Sequence, residues 1–356
     1  MPDASDVQAT MPATADDNPD SGSRLLAPES ILSPQEIQDL RASLPDLGFD
    51  PHKDQTISQT LLSKKYLGLY GIDFGENCFH RWGRVILPGS SADSHGWTIA
   101  CHYWLPDNSQ VLPEKGMVMV VHGYFDHVGL YGHLFRFLLA KGYGVIAFDL
   151  PGHGLSSGER ASIDTFDHYV TVFETLLQTV RRNFSVPVSA IGQSTGGAIL
   201  LKYLDDAAKS GDCTLEKVAL LAPLVQPALW SLNRMVYALT HKYLKGVARK
   251  FIANSNDEEF VRFLEKHDPL QARRIPIAWL GAMKHWVTDC RTMTPNHFPV
   301  TILQGDKDTT LAWRYNLKLL AKKFPNGQQI IIEGARHHLA NESPLLRQRI
   351  FSQMGF

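Results

Sequence analysis

One serine set among glycines, followed far along the chain by an aspartate and then a histidine, has the residue types of nucleophilic acyl transfer. The serine is Ser194, in Gly192-Gln193-Ser194-Thr195-Gly196-Gly197. A hydroxyl is a poor nucleophile until a base takes its proton, and that base needs a carboxylate to hold its ring. Two aspartates compete for the carboxylate role, Asp306 and Asp308 in Gln304-Gly305-Asp306-Lys307-Asp308. Two histidines compete for the base, His337 and His338 in Gly334-Ala335-Arg336-His337-His338. Spacing favours neither member of either pair strongly. An Asp close behind a strand often caps the next turn, which is the bland role for Asp306; His338 has the bland role of packing or capping the last helix. The reaction also needs two N–H donors for the oxyanion. Thr195 supplies the first, and His122-Gly123-Tyr124 the second, from Tyr124. Such a set needs no metal and no cofactor. His122, His127, His133 and His153 lack H-E-x-x-H spacing and Asp/Glu at ligand spacing, so they read as structural.

The G-x-S-x-G pattern alone is weak; its place between a strand and a helix is what makes it specific. The apolar pattern predicts strands at Arg84–Leu87 and Thr98–Leu105, joined by a turn at Pro88–Gly96. Strands and helices then alternate. The strands are Gly116–Val121, Tyr143–Phe148, Pro187–Ile191, Lys217–Leu221, Pro299–Leu303 and Gln329–Ile332. The helices are Leu130–Lys141, Phe166–Phe184, Ala198–Lys209 and Leu311–Lys323, with another at the end. This rhythm argues an α/β fold with a mostly parallel sheet covered on both faces. Ser194 and both candidate pairs fall on loops at the carboxyl ends of strands, where such sheets place their sites.

The rhythm breaks over 224–293, which reads as a helical insertion without clear strands. Residues 1–30 read as a disordered tail and 31–81 as a helical extension, opened by a capping box at Ser33-Pro34-Gln35-Glu36 with Ile37, Leu40 and Leu44 on one face. The sheet-forming core is expected at 82–223 and 294–356.

The chain has 356 residues, 44% hydrophobic and 20% charged, enough for a large core without disulfides. Its formal charge of −1 leaves no basic excess for a phosphate backbone, which speaks against nucleic acid. Four cysteines stand far apart and form no C-x-x-C pair. No apolar run approaches the ~20 residues that span a bilayer. The first twenty-three residues hold five Asp and no Lys or Arg, unlike a signal peptide. A cytoplasmic enzyme is the expectation.

These motifs resemble the α/β-hydrolase fold. More narrowly, the chain is similar to the monoacylglycerol lipase and lysophospholipase group, the serine aminopeptidase S33-like hydrolases. The resemblance covers about residues 82–356. It rests on His122–His127, Tyr131, Asp149–Ser156 with Gly158-Glu159-Arg160, Gly192–Gly197, Asp268-Pro269-Leu270, Gln304–Asp308 and Gly334–His337. It implies Asp308 as the acid, in the fourth place of G-x-x-D, and His337 as the base, after Gly-Ala-x. It implies Tyr124 and Thr195 as the oxyanion donors and 224–293 as a helical cap. The group's oxyanion loop usually reads His-Gly-x-Gly-Glu-His; Phe125 and Asp126 replace its last Gly and its Glu. Gln193 and Thr195 replace the usual His and Met around the serine.

The implied function is a serine carboxylester hydrolase acting on a single-chain lipid ester. Thioesterase, acyltransferase or peptidase chemistry on the same triad is the alternative, with a non-catalytic binding protein behind it. In the cap, Trp230, Leu232, Met235, Val236, Tyr237 and Leu239 form an apolar helical surface. Packing on the core is its default role; lining an acyl pocket or touching a membrane transiently are the others.

Overall fold

The computed structural model describes residues 31–356 except 56, 58–59, 77, 89–95 and 108–109, with the backbone alone at 233, 236 and 240. The expected tail, most of the expected Pro88–Gly96 turn and the Val236 side chain lie outside the described residues.

The chain enters through α1 (Pro34–Ser43). Ser33 Oγ accepts from the Glu36 N–H at 3.2 Å, and a Glu36 carboxylate oxygen accepts from the Ser33 N–H at 2.7 Å. That reciprocal cap fixes the helix start, and Ile37, Leu40 and Leu44 turn inward. Lys65 of α2 (Leu61–Tyr70) reaches back to Glu36 at 2.8 Å.

An eight-stranded sheet follows. It opens with an antiparallel pair, β1 (Phe79–Leu87) and β2 (Trp97–Leu105). β1 begins at Phe79, not at the expected Arg84. Phe79–Trp82 pair with His102–Leu105 across the hairpin, but His80 and Arg81 hide the apolar alternation. Next come β3 (Met117–Val121), α3 (Gly132–Ala140), β4 (Gly144–Phe148), α4 (Phe166–Asn183), β5 (Val188–Gln193), α5 (Thr195–Ser210) and β6 (Val218–Leu221). The chain then leaves the sheet through α6 (Trp230–Thr240), β7 (Gly246–Ala248), α7 (Glu258–Lys266), β8 (Arg274–Pro276) and α8 (Ile277–Thr292). It returns with β9 (Val300–Gly305), α9 (Trp313–Lys323), β10 (Gln328–Ile332) and α10 (Pro344–Ser352).

The strand order is β1-β2-β4-β3-β5-β6-β9-β10, parallel from β4 onward. Alternation along β3 shows why the sheet is covered twice. Met117, Met119 and Val121 join Phe173 of α4 and Leu200 of α5, whereas Val118 and Val120 join Leu134 of α3 and Phe351 of α10. Burying each such side chain contributes about 1.5–3 kcal/mol.

Two expectations for 224–293 need correction. The segment is not purely helical, because β7 and β8 pair as an antiparallel ribbon. Three-residue strands are too short to leave a period in the sequence. Nor does the α6 surface pack on the core throughout. Trp230 is buried, but Leu232, Met235 and Leu239 are exposed.

Beside β1 and β2, aromatic rings form a pile. Tyr66 stacks on Trp82, Trp82 on His102, and His102 on Trp104. His80 Nε2 lies 3.1 Å from His102 Nδ1. Burial, with His80 adding a smaller like-charge effect, holds His102 well below the usual imidazole range. The unfolded chain therefore takes up this proton at higher pH than the folded one. Stability falls as pH drops below about 6.5. The urea midpoint is expected to fall between pH 7.5 and pH 5.0 by less in His102→Phe than in wild type. Equal falls would remove His102 from the account.

Candidate active site

Ser194 stands on the turn between β5 and α5, with φ 52° and ψ −108°. A non-glycine residue at positive φ is strained by about 1–2 kcal/mol, so its neighbours must over-determine it. The backbone does this: the Ser194 N–H donates to Leu221 O at 2.8 Å, and Ser194 O accepts from the N–H groups of Ala198 and Leu224. The flanking glycines are needed for approach. A Cβ on Gly196 would lie 2.0 Å from Val121 O, and one on Gly192 would lie 2.5 Å from Gly196 C. The turn can form only where no side chain intervenes.

β9 and β10 deliver the other two groups. Gly305 ends β9 against the loop after β10, where a Cβ would lie 2.3 Å from Ala335 O. That close approach sets His337 beside Asp308. His337 Nδ1 lies 2.8 Å from Asp308 Oδ2, and His337 Nε2 lies 3.0 Å from Ser194 Oγ. The second Asp308 oxygen accepts from the N–H groups of Thr310 and Leu311, and Gln304 Nε2 donates to the first. Gln193 Nε2 donates to His337 O at 2.9 Å, which ties His337 to the residue before Ser194.

The two open pairs separate by contact. Asp306 Oδ1 accepts from the Gly334 N–H at 2.7 Å and holds the two loops together, away from the imidazole. His338 Nε2 lies 3.1 Å from Asp126 Oδ2, and its own N–H donates to Asn254 O.

Charge follows the geometry. Burial pulls the His337 imidazole down, but the Asp308 carboxylate outweighs it and holds the ring above its ordinary range. Burial pushes the Asp308 carboxyl up, and His337 with the hydrogen bonds from Gln304 and Leu311 reverses that to a lowered value.

Thr195 opens α5, so its N–H precedes the helix's own hydrogen-bond ladder. Tyr124 follows β3. The intervening Gly123 has its N–H held by Tyr131 Oη at 3.0 Å and by Asp126 Oδ2 at 3.2 Å. Burial raises the Asp126 carboxyl, yet His338, His122 and Tyr131 together hold it lowered. Tyr124 is fixed at its other end, donating to Ala161 O at 2.7 Å and stacking on Trp279 of α8 at 3.6 Å. Tyr124, Ser194, Thr195 and His337 face one cavity of about 380 Å³. Apolar side chains from 224–293 close it, among them Trp230, Ile275, Trp279 and Met283.

Residues 113–344 match the family described as serine aminopeptidase, S33. The chain belongs to this family. As an S33-family α/β-hydrolase it is a serine ester hydrolase. It is 31% identical to the human monoglyceride lipase over 276 residues, covering 74% of this chain and 87% of that one. It is 28% identical to the phospholipase YtpA of Bacillus subtilis over 241 residues, covering 64% and 89%. In three dimensions it resembles a soluble variant of the Saccharomyces cerevisiae monoglyceride lipase, with a TM-score of 0.64 at 17% identity over 76% of this chain and 94% of that one. That likeness shows the α/β-hydrolase fold.

The S33 motif Asp268-Pro269-Leu270 is a brace. Asp268 Oδ2 lies 3.0 Å from His127 Nε2, and its other oxygen accepts from Tyr70 Oη at 2.9 Å. It joins α2, the Tyr124 loop and the inserted segment in one buried cluster. Asp149 likewise accepts from the N–H groups of Val128 and Leu155, which is a loop-building role. Sequence reasoning missed the contacts of Gln193 and Gln304. Both sit inside quoted motifs, where their polarity beside apolar strands was the available signal.

Proposed function

We propose that this ester hydrolase cleaves a single-chain lipid ester of the monoacylglycerol or lysophospholipid type, through an acyl-enzyme on Ser194. The carrying observation is the Ser194–His337–Asp308 relay opening into an apolar cavity beneath 224–293. His337 takes the Ser194 proton as Oγ attacks the ester carbonyl. The Thr195 and Tyr124 N–H groups hold the oxyanion, and the positive end of the α5 dipole adds to them. His337 returns the proton to the leaving alcohol, then activates water to release the acid. The names of the human and bacterial relatives support a lipid substrate. The test is fatty-acid release from monoacylglycerol and lysophospholipid, with p-nitrophenyl esters beside them. Cleavage of the short esters alone would replace the lipid with a small substrate; cleavage of nothing would overturn the reading.

The same proposal divides the chain into a core at 79–223 and 294–356, its start moved from the expected 82 because β1 begins at Phe79, with an extension at 31–78 and a cap at 224–293. No helix among the described residues is long and apolar enough to cross a membrane. The cap offers a peripheral contact instead. Residues 229–252 hold five Lys or Arg and no Asp or Glu. In that stretch Leu229, Leu239, Tyr243 and Ile252 are exposed by 65% or more. Exposed apolar side chains in a cationic stretch suit an anionic bilayer. Leu239→Glu is expected to weaken sedimentation with phosphatidylglycerol vesicles about tenfold or more, with turnover of a soluble short ester unchanged. Unaltered sedimentation would remove the contact. The unpaired thiols of Cys78, Cys101, Cys213 and Cys290 support a reducing, cytoplasmic setting.

A further inference from the structure

Phe125 stands at φ 71°. There a side chain crowds its own backbone, and glycine is the residue that fits without cost. It is the third residue of a turn closed by the Asp126 N–H donating to Gly123 O at 3.1 Å, and Gly123 O shares its peptide with the proposed oxyanion donor, the Tyr124 N–H, so a Phe125 that leaves this conformation opens the bond that holds that peptide. The core side of this loop is pinned at Gly123 and at Tyr124 Oη. Beyond that turn bond and the packing of its ring on Tyr124 at 3.9 Å, Phe125 is gripped by the cap. Gln271 Nε2 donates to Phe125 O at 3.1 Å and to Asp268 Oδ2 at 2.8 Å. Gln271 Oε1 accepts from Arg249 Nη1 at 2.6 Å. The Arg249 guanidinium lies 3.9 Å from the centre of the Phe125 ring, with the Phe251 ring 4.3 Å from the same guanidinium. Arg249 Nη1 also donates to Ala272 O at 3.3 Å. The carbonyl and the ring of the strained residue are thus held by two mutually bonded side chains, both more than a hundred residues away in sequence.

We infer that Arg249 and Gln271 are positioning residues: they hold Phe125 in its left-handed conformation and so aim the Tyr124 N–H at the oxyanion, which makes the hole depend on a docked cap. The inference rests on the ester-hydrolase reading above. Neither side chain needs to touch the reacting atoms. An oxyanion donor works only where it is already aimed at the developing charge, so a small rotation of this peptide is felt in kcat. A cap that lifts releases Gln271 and Arg249 together, and the loop is then free to relax. Hydrolysis in the open state is suppressed by the loss of the contacts that promote it in the closed one.

The alternative role for these side chains is to staple the cap to the core, with no link to the donor. Phe125→Gly separates the two, because glycine takes φ 71° without help. The full chain is assayed on a soluble short p-nitrophenyl ester, with thermal midpoints recorded for every variant. Gln271→Ala is expected to lower kcat about tenfold to a hundredfold, with KM within about twofold and the pH profile unmoved. Phe125→Gly supplies the second background, and each loss is read relative to that variant's own kcat. In the Phe125→Gly background, Gln271→Ala costs less than about threefold, and Arg249→Ala repeats the pattern. Equal losses in both backgrounds, a loss confined to KM, or an inactive Phe125→Gly would overturn the inference. Ester cleavage by wild type with any of those results removes this inference alone; no cleavage by wild type removes the hydrolase reading with it.

Discussion

Ser194→Ala is expected to lower kcat by about 10⁵–10⁶ while leaving the fold in place, because a triad acts as a unit and losing the nucleophile leaves only the oxyanion hole and binding. The fold survives for a local reason. The contacts that hold residue 194 at φ 52° are made by its backbone, to Leu221 O and from Ala198 and Leu224. Alanine keeps the same Cβ and the same strain. It loses one hydrogen bond, to His337 Nε2, worth about 1 kcal/mol, so the thermal midpoint should move by only a few degrees. Thr195 cannot take over, because its hydroxyl is buried and has no base beside it among the described residues. A serine-directed phosphonate should add its mass to wild type and not to the variant. Retention of more than about 1% of kcat would place the nucleophile elsewhere, since a residual of about 10³–10⁴ over water is all the remaining groups supply.

The regular parts of this molecule were legible in the sequence because they are periodic. β3 and β4 are continuous apolar runs, and such runs between helices mean a doubly covered parallel sheet. Ser194 was legible because the glycines around it have one steric purpose. The choice between Asp306 and Asp308 was not a matter of spacing. It turns on which carboxylate faces an imidazole 29 residues later and which faces the Gly334 amide. His338 finds Asp126 across 212 residues, a distance over which no local pattern reports. Arg249 and Gln271 were invisible for the same reason: alone, each reads as a polar residue in a loop-rich insertion. The β7–β8 ribbon was too short for a period, and β1 was shortened in the reading because His80 and Arg81 interrupt its apolar side. The departure at Phe125 was visible as a letter, but its meaning needed the φ angle. A bulky residue in a left-handed turn is information only once the grip that keeps it there is seen.

Asp308→Asn should lower kcat by about 10⁴ and move the acid limb of the pH profile. An asparagine amide can present its NH₂ to His337 Nδ1. That fixes the ring with its proton on Nε2, facing Ser194 Oγ with a donor where an acceptor is required. In wild type the limb reflects His337, which must be neutral to act as base. Burial alone would hold that ring below its ordinary value; the Asp308 carboxylate reverses the sign. Wild-type kcat/KM is therefore expected to fall as pH drops through a value above about 6.5. In Asp308→Asn the opposing charge is gone and burial remains, so the limb shifts to lower pH. Stability moves the other way. A histidine whose folded value is raised stabilises the fold fully below about 6.5, and that contribution is lost as pH rises through the folded value. Wild type is thus most active where this pair contributes least to its stability, and Asp308→Asn should lose that part of the pH dependence of the urea midpoint. Asp306→Asn is the control. It keeps an oxygen for the Gly334 N–H and should leave both the rate and the acid limb near wild type. An unmoved limb in Asp308→Asn, or a loss in Asp306→Asn as large, would reassign the carboxylate.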